Sequence, residues 1–182
     1  MKSVKEILNP ILVLFTICAV AAILLALTNE VTADIVARGD TERAELEQRE
    51  FFPEALKFES GKAGLNGALY DYTAAFDKGG ELLGYSFVTN ARGYGGDISL
   101  ICAVEADGVI KDVKILSINE TPGLGMRAAD ESFLSQYEGK KGKITLSSGE
   151  NGVDAISGAT VTSRSITQAV NIALELYSII NS

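Results

Sequence analysis

The chain has 182 residues and a formal net charge of −8, and it contains no histidine and two cysteines. The acidic balance argues against a nucleic-acid partner, because phosphates favour a basic surface. The lack of histidine excludes Ser-His-Asp and Cys-His centres, and two distant cysteines supply neither an iron–sulfur cluster nor a usual zinc site. Any redox chemistry in this protein must therefore come from an organic cofactor.

The first predicted element is an uncharged apolar run at residues 7–27. About 20 such residues cross a bilayer core, so the run predicts one transmembrane helix in the lipid bilayer. Lys2 and Lys5 precede it, and Glu30 and Asp34 follow it. The positive-inside rule then places the N-terminus in the cytoplasm and the rest of the chain on the extracytoplasmic face of the cytoplasmic membrane. A cleaved signal peptide is the alternative, although the run is longer than such segments usually are.

A charged, alanine-containing segment comes next. Residues 32–52 predict a helical connector that ends before Pro53, with its charges on a solvated face. We therefore divide the chain into a cytoplasmic N-terminus with its anchor (1–28), a helical connector (29–60) and a folded extracytoplasmic domain (61–182).

From about residue 69 the apolar pattern has a period of two, which is typical of strands. Residues 69–77 and 81–89 flank a Lys-Gly-Gly turn and predict one hairpin. Residues 97–107 and 109–118 meet at an Asp-Gly turn and predict a second hairpin. The pattern indicates an antiparallel sheet of at least four strands. Cys102 falls on its alternating apolar face, which favours a buried strand residue over a reactive thiol.

The last third of the chain is predicted to be mainly helical. Residues 127–137 suggest a short helix, and residues 143–147 suggest a further short strand. Residues 161–180 carry apolar side chains at helical spacing, so one face of a long C-terminal helix is expected to pack on the sheet. The fold class is α+β.

The loop before this last helix, residues 154–163, is rich in hydroxyl side chains. They surround Gly158 and Ala159, and they are Ser157, Thr160, Thr162 and Ser163. Free N–H groups and the positive end of the helix dipole favour an anion there, and glycine allows a close backbone approach. The residues alone leave two interpretations open, namely ordinary capping of the helix and binding of a phosphate.

Two motifs in the chain resemble signatures of the FMN-binding domain family. The sequence DAISGAT at 154–160 resembles the family's flavinylation motif D-x-x-[ST]-G-A-T, and Thr162 and Ser163 continue the pattern. In that family a flavin transferase joins the phosphate of FMN to the last threonine of the motif. The resemblance therefore implies FMN as the cofactor, Thr160 as its covalent attachment point and a flavin transferase as a partner during maturation.

The second motif is ETPGLG at residues 120–125, which resembles the family's loop beside the isoalloxazine ring. The resemblance implies that Glu120 and Thr121 hydrogen-bond the polar edge of the ring. Gly123 and Gly125 are expected to let the loop pass close to a planar ligand, and Leu124 is expected to pack on it. From the residues alone, a turn in which proline and glycine serve only the backbone is the alternative.

Three further side chains are candidates for the same site. Tyr94, in the loop GYGGDI at 93–98, is a candidate to flank the ring, and a plain turn is the alternative. Arg127 and Arg164 are candidate phosphate partners, with solvated surface positions as the alternative.

The layout of an N-terminal anchor followed by both motifs is similar to that of redox-pump subunits in the family. It resembles the G subunits of Rnf-type ion-translocating ferredoxin:NAD complexes, and the C subunits of sodium-pumping NADH:quinone reductases are the alternative. The resemblance implies an electron relay among other subunits of a membrane complex, without an active site of its own. An FMN-binding sensory domain without electron relay, and a structural domain with capping hydroxyls only, are the competing hypotheses.

Overall fold

The structure is a computed structural model that describes residues 4–147, 149 and 151–182. It comprises two units, which divide between Thr41 and Glu42. Helix α1 extends over Val4–Phe51. The helix predicted over residues 32–52 agrees with the last part of α1, which ends at Phe51, while the division into connector and domain stays a prediction.

The first unit consists of the N-terminal part of α1. Its stretch Leu8–Asn29 is long and apolar enough to cross a membrane, and the side chains there are not buried within the protein. The hydroxyls of Thr16 and Thr28 donate to the carbonyls of Leu12 and Leu24, at 2.8 Å in both cases. These polar groups are therefore satisfied inside the helix, as an apolar surrounding requires.

The second unit contains a five-stranded antiparallel sheet whose spatial order follows the chain. The strands are β1 (Lys57–Leu65), β2 (Ala68–Phe76), β3 (Leu82–Arg92), β4 (Asp97–Glu105) and β5 (Ile110–Ile118). Strands β2 to β5 are the two predicted hairpins, and the α+β class is confirmed.

Strand β1 was not predicted, although its turn carries a strong signal. Its sequence KFESGKAGL has few apolar residues, and most of its side chains are exposed, so no period-two apolar face is visible. Asn66 and Gly67 both have positive φ, at 52° and 82°, and they connect Leu65 to its partner Ala68. This conformation is that of the two-residue type I′ turn, which Asn-Gly favours.

The prediction of one continuous helix over residues 127–137 is wrong. A 3-10 turn at Gly125–Ala129 comes first, then α2 at Glu131–Leu134, then a 3-10 turn at Ser135–Tyr137. The break falls at Asp130, whose backbone is extended (φ −70°, ψ 138°) and leaves the helical region.

The short strand predicted at 143–147 is also wrong. In the described residues there, Thr145 forms only an isolated bridge with Gly152. The side chain of Asn171 replaces a neighbouring strand, because its amide accepts from the Ile144 N–H at 2.9 Å and donates to the Ile144 carbonyl at 2.8 Å. A side chain that is distant in sequence thus satisfies the backbone groups that a sheet would pair.

Helix α3, at Thr160–Ile180, packs on one face of the sheet as predicted. The Thr89 hydroxyl donates to the Ala169 carbonyl at 3.1 Å and joins β3 to the helix. Cys102 is fully buried in the same core, and burial raises the pKa of its thiol far above the usual value. The thiol therefore stays protonated and unreactive, in agreement with its prediction as a buried strand residue.

The opposite face of the sheet is covered by the end of α1. Phe51 and Phe52 are 3% and 1% exposed, and they pack with Ile101, Ala103 and Leu116 of the sheet. The sheet thus has an apolar layer on both faces, which explains why β4 is buried along nearly its whole length.

Replacement of Phe52 by alanine should destabilise the second unit by about 3–5 kcal/mol, because the large side chain leaves a cavity in a closed layer. Urea unfolding of the full chain in detergent measures the change. Leu56→Ala is the matched control, since Leu56 is 71% exposed, and its effect should stay within about 0.5 kcal/mol. Equal effects for the two variants would contradict the packing of α1 on this face.

Candidate functional site

Both sequence motifs line one cavity of about 460 Å³, a volume typical of small-molecule sites. Three chain segments form its wall: the loop after β3, the 120–125 loop and the start of α3. The lining residues are Tyr94, Glu120, Thr121, Leu124, Gly125, Gly158, Ala159, Thr160, Val161 and Thr162. Gly123, Ser157 and Ser163 from the predicted site do not line it.

The position of α3 relative to the sheet brings these segments together. The Ser165 hydroxyl lies 2.6 Å from the Arg92 carbonyl and 3.0 Å from the Val161 carbonyl. Arg92 ends β3 shortly before Tyr94, and Thr160 begins α3 just over one turn before Ser165. This contact therefore places the first turn of the helix beside the loop after β3.

The backbone at the start of α3 lies close to the 120–125 loop and faces the cavity. Gly158 has φ +79°, and a Cβ there would lie 3.3 Å from the Leu124 side chain, so glycine suits both the backbone and the contact. The helix begins at Thr160 without a side-chain hydrogen bond from its N-cap residue Ala159. The N–H groups of the first turn have no acceptor within the helix, so this end carries a partial positive charge at the cavity.

The four hydroxyls of the loop divide into two pairs. Thr162 and Ser163 are 1% and 0% exposed, whereas Ser157 and Thr160 are exposed. The Ser163 hydroxyl donates to the Ala159 carbonyl and accepts from the Ile156 N–H, at 3.0 Å in both cases. Ser163 thus has a structural role at the helix start, and Thr160 is the one hydroxyl of the four that is both exposed and part of the cavity wall.

The 120–125 loop is a tight turn in which one carbonyl accepts two backbone hydrogen bonds. The Thr121 carbonyl accepts from the N–H groups of Leu124 and Met126, at 3.2 Å in both cases. Gly123 has φ +75° with open space around it, so glycine is needed there for the backbone and not for room. Leu124 is 46% exposed and supplies an apolar surface to the cavity.

Glu120 has backbone partners that the sequence did not reveal. Its side chain is 7% exposed, and its carboxylate accepts from the Tyr94 N–H at 2.6 Å and from the Gly95 N–H at 3.1 Å. The two segments lie about 25 residues apart, so no local spacing connects them. The predicted hydrogen bond from Glu120 to the ring edge stays a prediction.

The two arginines do not line this cavity. Arg164 lines a separate groove with Tyr70 and Lys143, and Arg127 lies exposed beside the 120–125 loop. Asp154, at the head of the hydroxyl-rich motif, is exposed, and its N–H donates to the Gln136 side chain at 2.8 Å. Of the predicted site residues, only those that line the cavity are therefore positioned to contact a ligand in it.

Comparison with known proteins agrees with this geometry. The model of the FMN-binding domain family matches residues 93–175, which include both motifs. The G subunit of the Na(+)-translocating ferredoxin:NAD(+) oxidoreductase complex of Acetobacterium woodii is 34% identical, over 91% of this chain and 89% of that protein. The G subunit of the ion-translocating oxidoreductase complex of Methanosarcina acetivorans is 30% identical, over 98% of both.

A solved structure shares the fold. NqrC of Shewanella oneidensis superposes with a TM-score of 0.53 and 27% identity, over 69% of this chain and 68% of that one. The five-stranded sheet with its C-terminal helix is thus the fold of an FMN-binding domain, and FMN is the cofactor. The chain belongs to the family of the G subunits of ion-translocating oxidoreductase complexes.

The residues of the cavity fit FMN. Its phosphate end would meet Thr160 and the N–H groups of the first turn of α3, where an anion is stabilised. Its planar ring would meet the apolar side chains of Leu124 and Val161 and the ring of Tyr94, with Thr121 as a polar neighbour. The cavity thus combines the partly positive start of α3 at one end with an apolar surface formed by Leu124, Val161 and Tyr94.

The role of Ser163 can be tested by stability. Ser163→Ala removes the acceptor of the Ile156 N–H and should lower the free energy of unfolding by about 1–3 kcal/mol. Ser157→Ala, at an exposed position, should change it by less than about 0.5 kcal/mol. Urea denaturation of both variants checks the prediction, and an unchanged Ser163 variant would contradict this structural role.

Proposed function

We propose that this protein is the membrane-anchored FMN subunit of an Rnf-type ferredoxin:NAD oxidoreductase complex and relays electrons to neighbouring subunits. The observation that carries the proposal is the cavity that brings the exposed Thr160 beside the 120–125 loop. The names of the relatives support it, since they are subunits of Na(+)- or proton-translocating ferredoxin:NAD(+) oxidoreductase complexes.

A C subunit of a sodium-pumping NADH:quinone reductase is the second candidate. The likeness in fold to NqrC favours it, at 27% identity over about two thirds of each chain. Three relatives that are G subunits are 30–34% identical, and the matches cover 84–98% of their own length. We therefore prefer the assignment as a G subunit.

FMN is attached in this proposal through a phosphoester to Thr160. The exposure of Thr160 gives a modifying enzyme access to its hydroxyl, whereas Thr162 and Ser163 are buried. The negative charge of the phosphodiester would meet the first turn of α3, which is worth about 0.3–1 kcal/mol at an exposed site. A flavin transferase makes the bond during maturation with FAD as the donor: the Thr160 hydroxyl would attack the phosphorus on the FMN side, lose its proton and displace AMP as the pyrophosphate bond breaks.

Covalent attachment would keep FMN on the protein outside the cytoplasm, where free FMN is dilute. A non-covalent site with a Kd of about 1 μM corresponds to about 8 kcal/mol and would empty at nanomolar free FMN. With the phosphate bonded, the contacts to the ring need not supply affinity. They are then available for setting the reduction potential.

The chemistry of the proposal belongs to the bound cofactor. FMN accepts and releases electrons one or two at a time, so it can connect one-electron and two-electron partners. The residues of the cavity bind and orient the ring, and none is required to act as a general acid or base. Turnover of substrates is then a property of the complex.

The anchor and the domain have separate roles in this proposal. Residues 1–28 hold the protein in the cytoplasmic membrane, and the unit from Glu42 onwards, whose sheet begins at Lys57, forms the FMN domain on the extracytoplasmic face. The apolar stretch Leu8–Asn29 supports the anchor. The charge bias of Lys2 and Lys5 against the acidic residues after the stretch supports the orientation.

Thr160→Ala should abolish flavin incorporation, because it removes the oxygen that forms the phosphoester. Full-length protein co-expressed with a flavin transferase should lose its yellow colour and its in-gel fluorescence. Folding should persist, since a change at a helix start usually costs about 1 kcal/mol. Ser157→Ala is the control, because it removes the other exposed hydroxyl of the loop and should leave the in-gel fluorescence unchanged.

Peptide mass spectrometry of the wild type decides the attachment point. An FMN adduct on a peptide fragment that places it at Thr160 is the expected result. An adduct at Ser157 or Thr162, or no adduct after co-expression, would overturn the assignment.

Orientation in the membrane has its own test. Protease added to right-side-out vesicles should digest residues 30–182, because the charge bias places them outside. Inside-out vesicles serve as the control and should protect this domain. Protection in right-side-out vesicles would refute the proposed location and remove the dilution argument for covalent attachment.

A further inference from the structure

We propose that Glu120 is a positioning residue that acts on the flavin through Tyr94. Its carboxylate holds the loop 93–96, and this loop presents the Tyr94 ring to the cavity as the aromatic surface for the isoalloxazine. The inference rests on the proposed function in that FMN must occupy the cavity.

The first support is the directed pair of hydrogen bonds at the carboxylate. One oxygen of Glu120 accepts from the Tyr94 N–H at 2.6 Å, and the other accepts from the Gly95 N–H at 3.1 Å. Hydrogen bonds to an ionised acceptor are stronger than neutral ones, and this carboxylate is 7% exposed. The two bonds therefore fix the backbone of Tyr94 and not its side chain.

The second support is the close packing of glycines around this carboxylate. A Cβ at Gly125 would lie 2.7 Å from Glu120 Oε2, and a Cβ at Gly95 would lie 3.2 Å from the Glu120 Cα atom. A Cβ at Gly93 would overlap with Glu120 Oε1. The glycines let two loops close on one carboxylate, so the 93–96 loop is attached to the 120–125 loop with no room for side chains between them.

The third support is the state of the Tyr94 side chain. It is 76% exposed, although it lines the cavity. Four other tyrosines pack on another aromatic ring within the described part of the chain; they are Tyr72, Tyr85, Tyr137 and Tyr177. Tyr94 has no such ring partner among the described residues, so its face is available to a planar ligand, which aromatic side chains bind by stacking.

Glu120 also lines the cavity, so an action through Tyr94 must be distinguished from direct contact with the ring by experiment. A residue that contacts the flavin changes its properties whether or not Tyr94 is present. A residue that acts through Tyr94 has no further effect once that ring is removed. The distinction is a double-mutant cycle, in which coupled residues are non-additive.

The experiment uses full-length protein co-expressed with a flavin transferase and compares wild type, Tyr94→Leu, Glu120→Gln and the double variant. Glutamine offers one acceptor oxygen in place of two, so one backbone N–H loses its partner. A tyrosine in contact with a flavin quenches its fluorescence. The readout is the fluorescence of the native protein divided by that of the same sample after denaturation, which corrects for flavin content.

We expect this ratio to rise severalfold in Tyr94→Leu and to rise also in Glu120→Gln, with no further rise in the double variant. Tyr70→Leu is the matched control, because Tyr70 lines a separate groove, and it should leave the ratio unchanged. Hydrogen exchange on protein made without the transferase provides a readout without flavin. The amides of Tyr94 and Gly95 should be protected in the wild type and should lose protection in Glu120→Gln.

Two results would overturn the inference alone: flavin-loaded protein in which Tyr94→Leu leaves the ratio unchanged, or additive effects in the double variant. If Glu120→Gln does not fold, Glu120→Asp takes its place, since it keeps both oxygens but shortens their reach. Wild-type protein that carries no FMN after co-expression would instead overturn the proposed function, and the inference with it.

Discussion

The contact of α3 with the end of β3 is the constraint on which the site depends. Ser165 lies against the Arg92 carbonyl, and one turn further along the helix the carbonyl of Ala169 accepts from Thr89. Two contacts one turn apart fix both the position and the rotation of the helix. The loop 93–96 and Thr160 then lie at the same cavity, because each follows or precedes these contacts by a few residues.

The hydroxyl-rich loop shows how one stretch combines structural and ligand-facing residues. Helical geometry turns Ser163 inward, where it bonds the backbone of Ile156 and Ala159, and leaves Thr160 outward. The N-cap residue of α3 is Ala159, so the predicted alternative of a hydroxyl cap is not seen at the N-cap, and Ser163 instead bonds the turn before the helix. Under our proposal, phosphate binding concerns Thr160. Thr160 is exposed and is not the N-cap residue, so its hydroxyl remains accessible at the cavity.

Local patterns predicted most of the fold and the two motifs of the site. Alternation identified β2 to β5, and helical spacing identified α3. Strand β1 was not predicted, because its exposed, charged residues show no alternation of apolar side chains. A strand was wrongly predicted at residues 143–147, where the side chain of Asn171 pairs with the backbone in place of a neighbouring strand. The hydrogen-bond partners of Glu120 could not be predicted from the sequence. They depend on how two loops that are distant in sequence meet, and no spacing along the chain encodes this contact.

The order of the strands has a consequence for how the domain is completed. Each strand of the sheet pairs with its predecessor in the chain, so these contacts are local and can form as the chain emerges. The bond from Thr89 to Ala169, in contrast, spans 80 residues and belongs to the last helix. Because long-range contacts form more slowly than local ones, closure of that long loop is expected to follow strand pairing. Until the 21-residue helix α3 packs on the sheet, the strands can pair but the cavity lacks one of its walls. Under our proposal, a transferase that recognises the complete cavity would act on Thr160 only after that helix has docked.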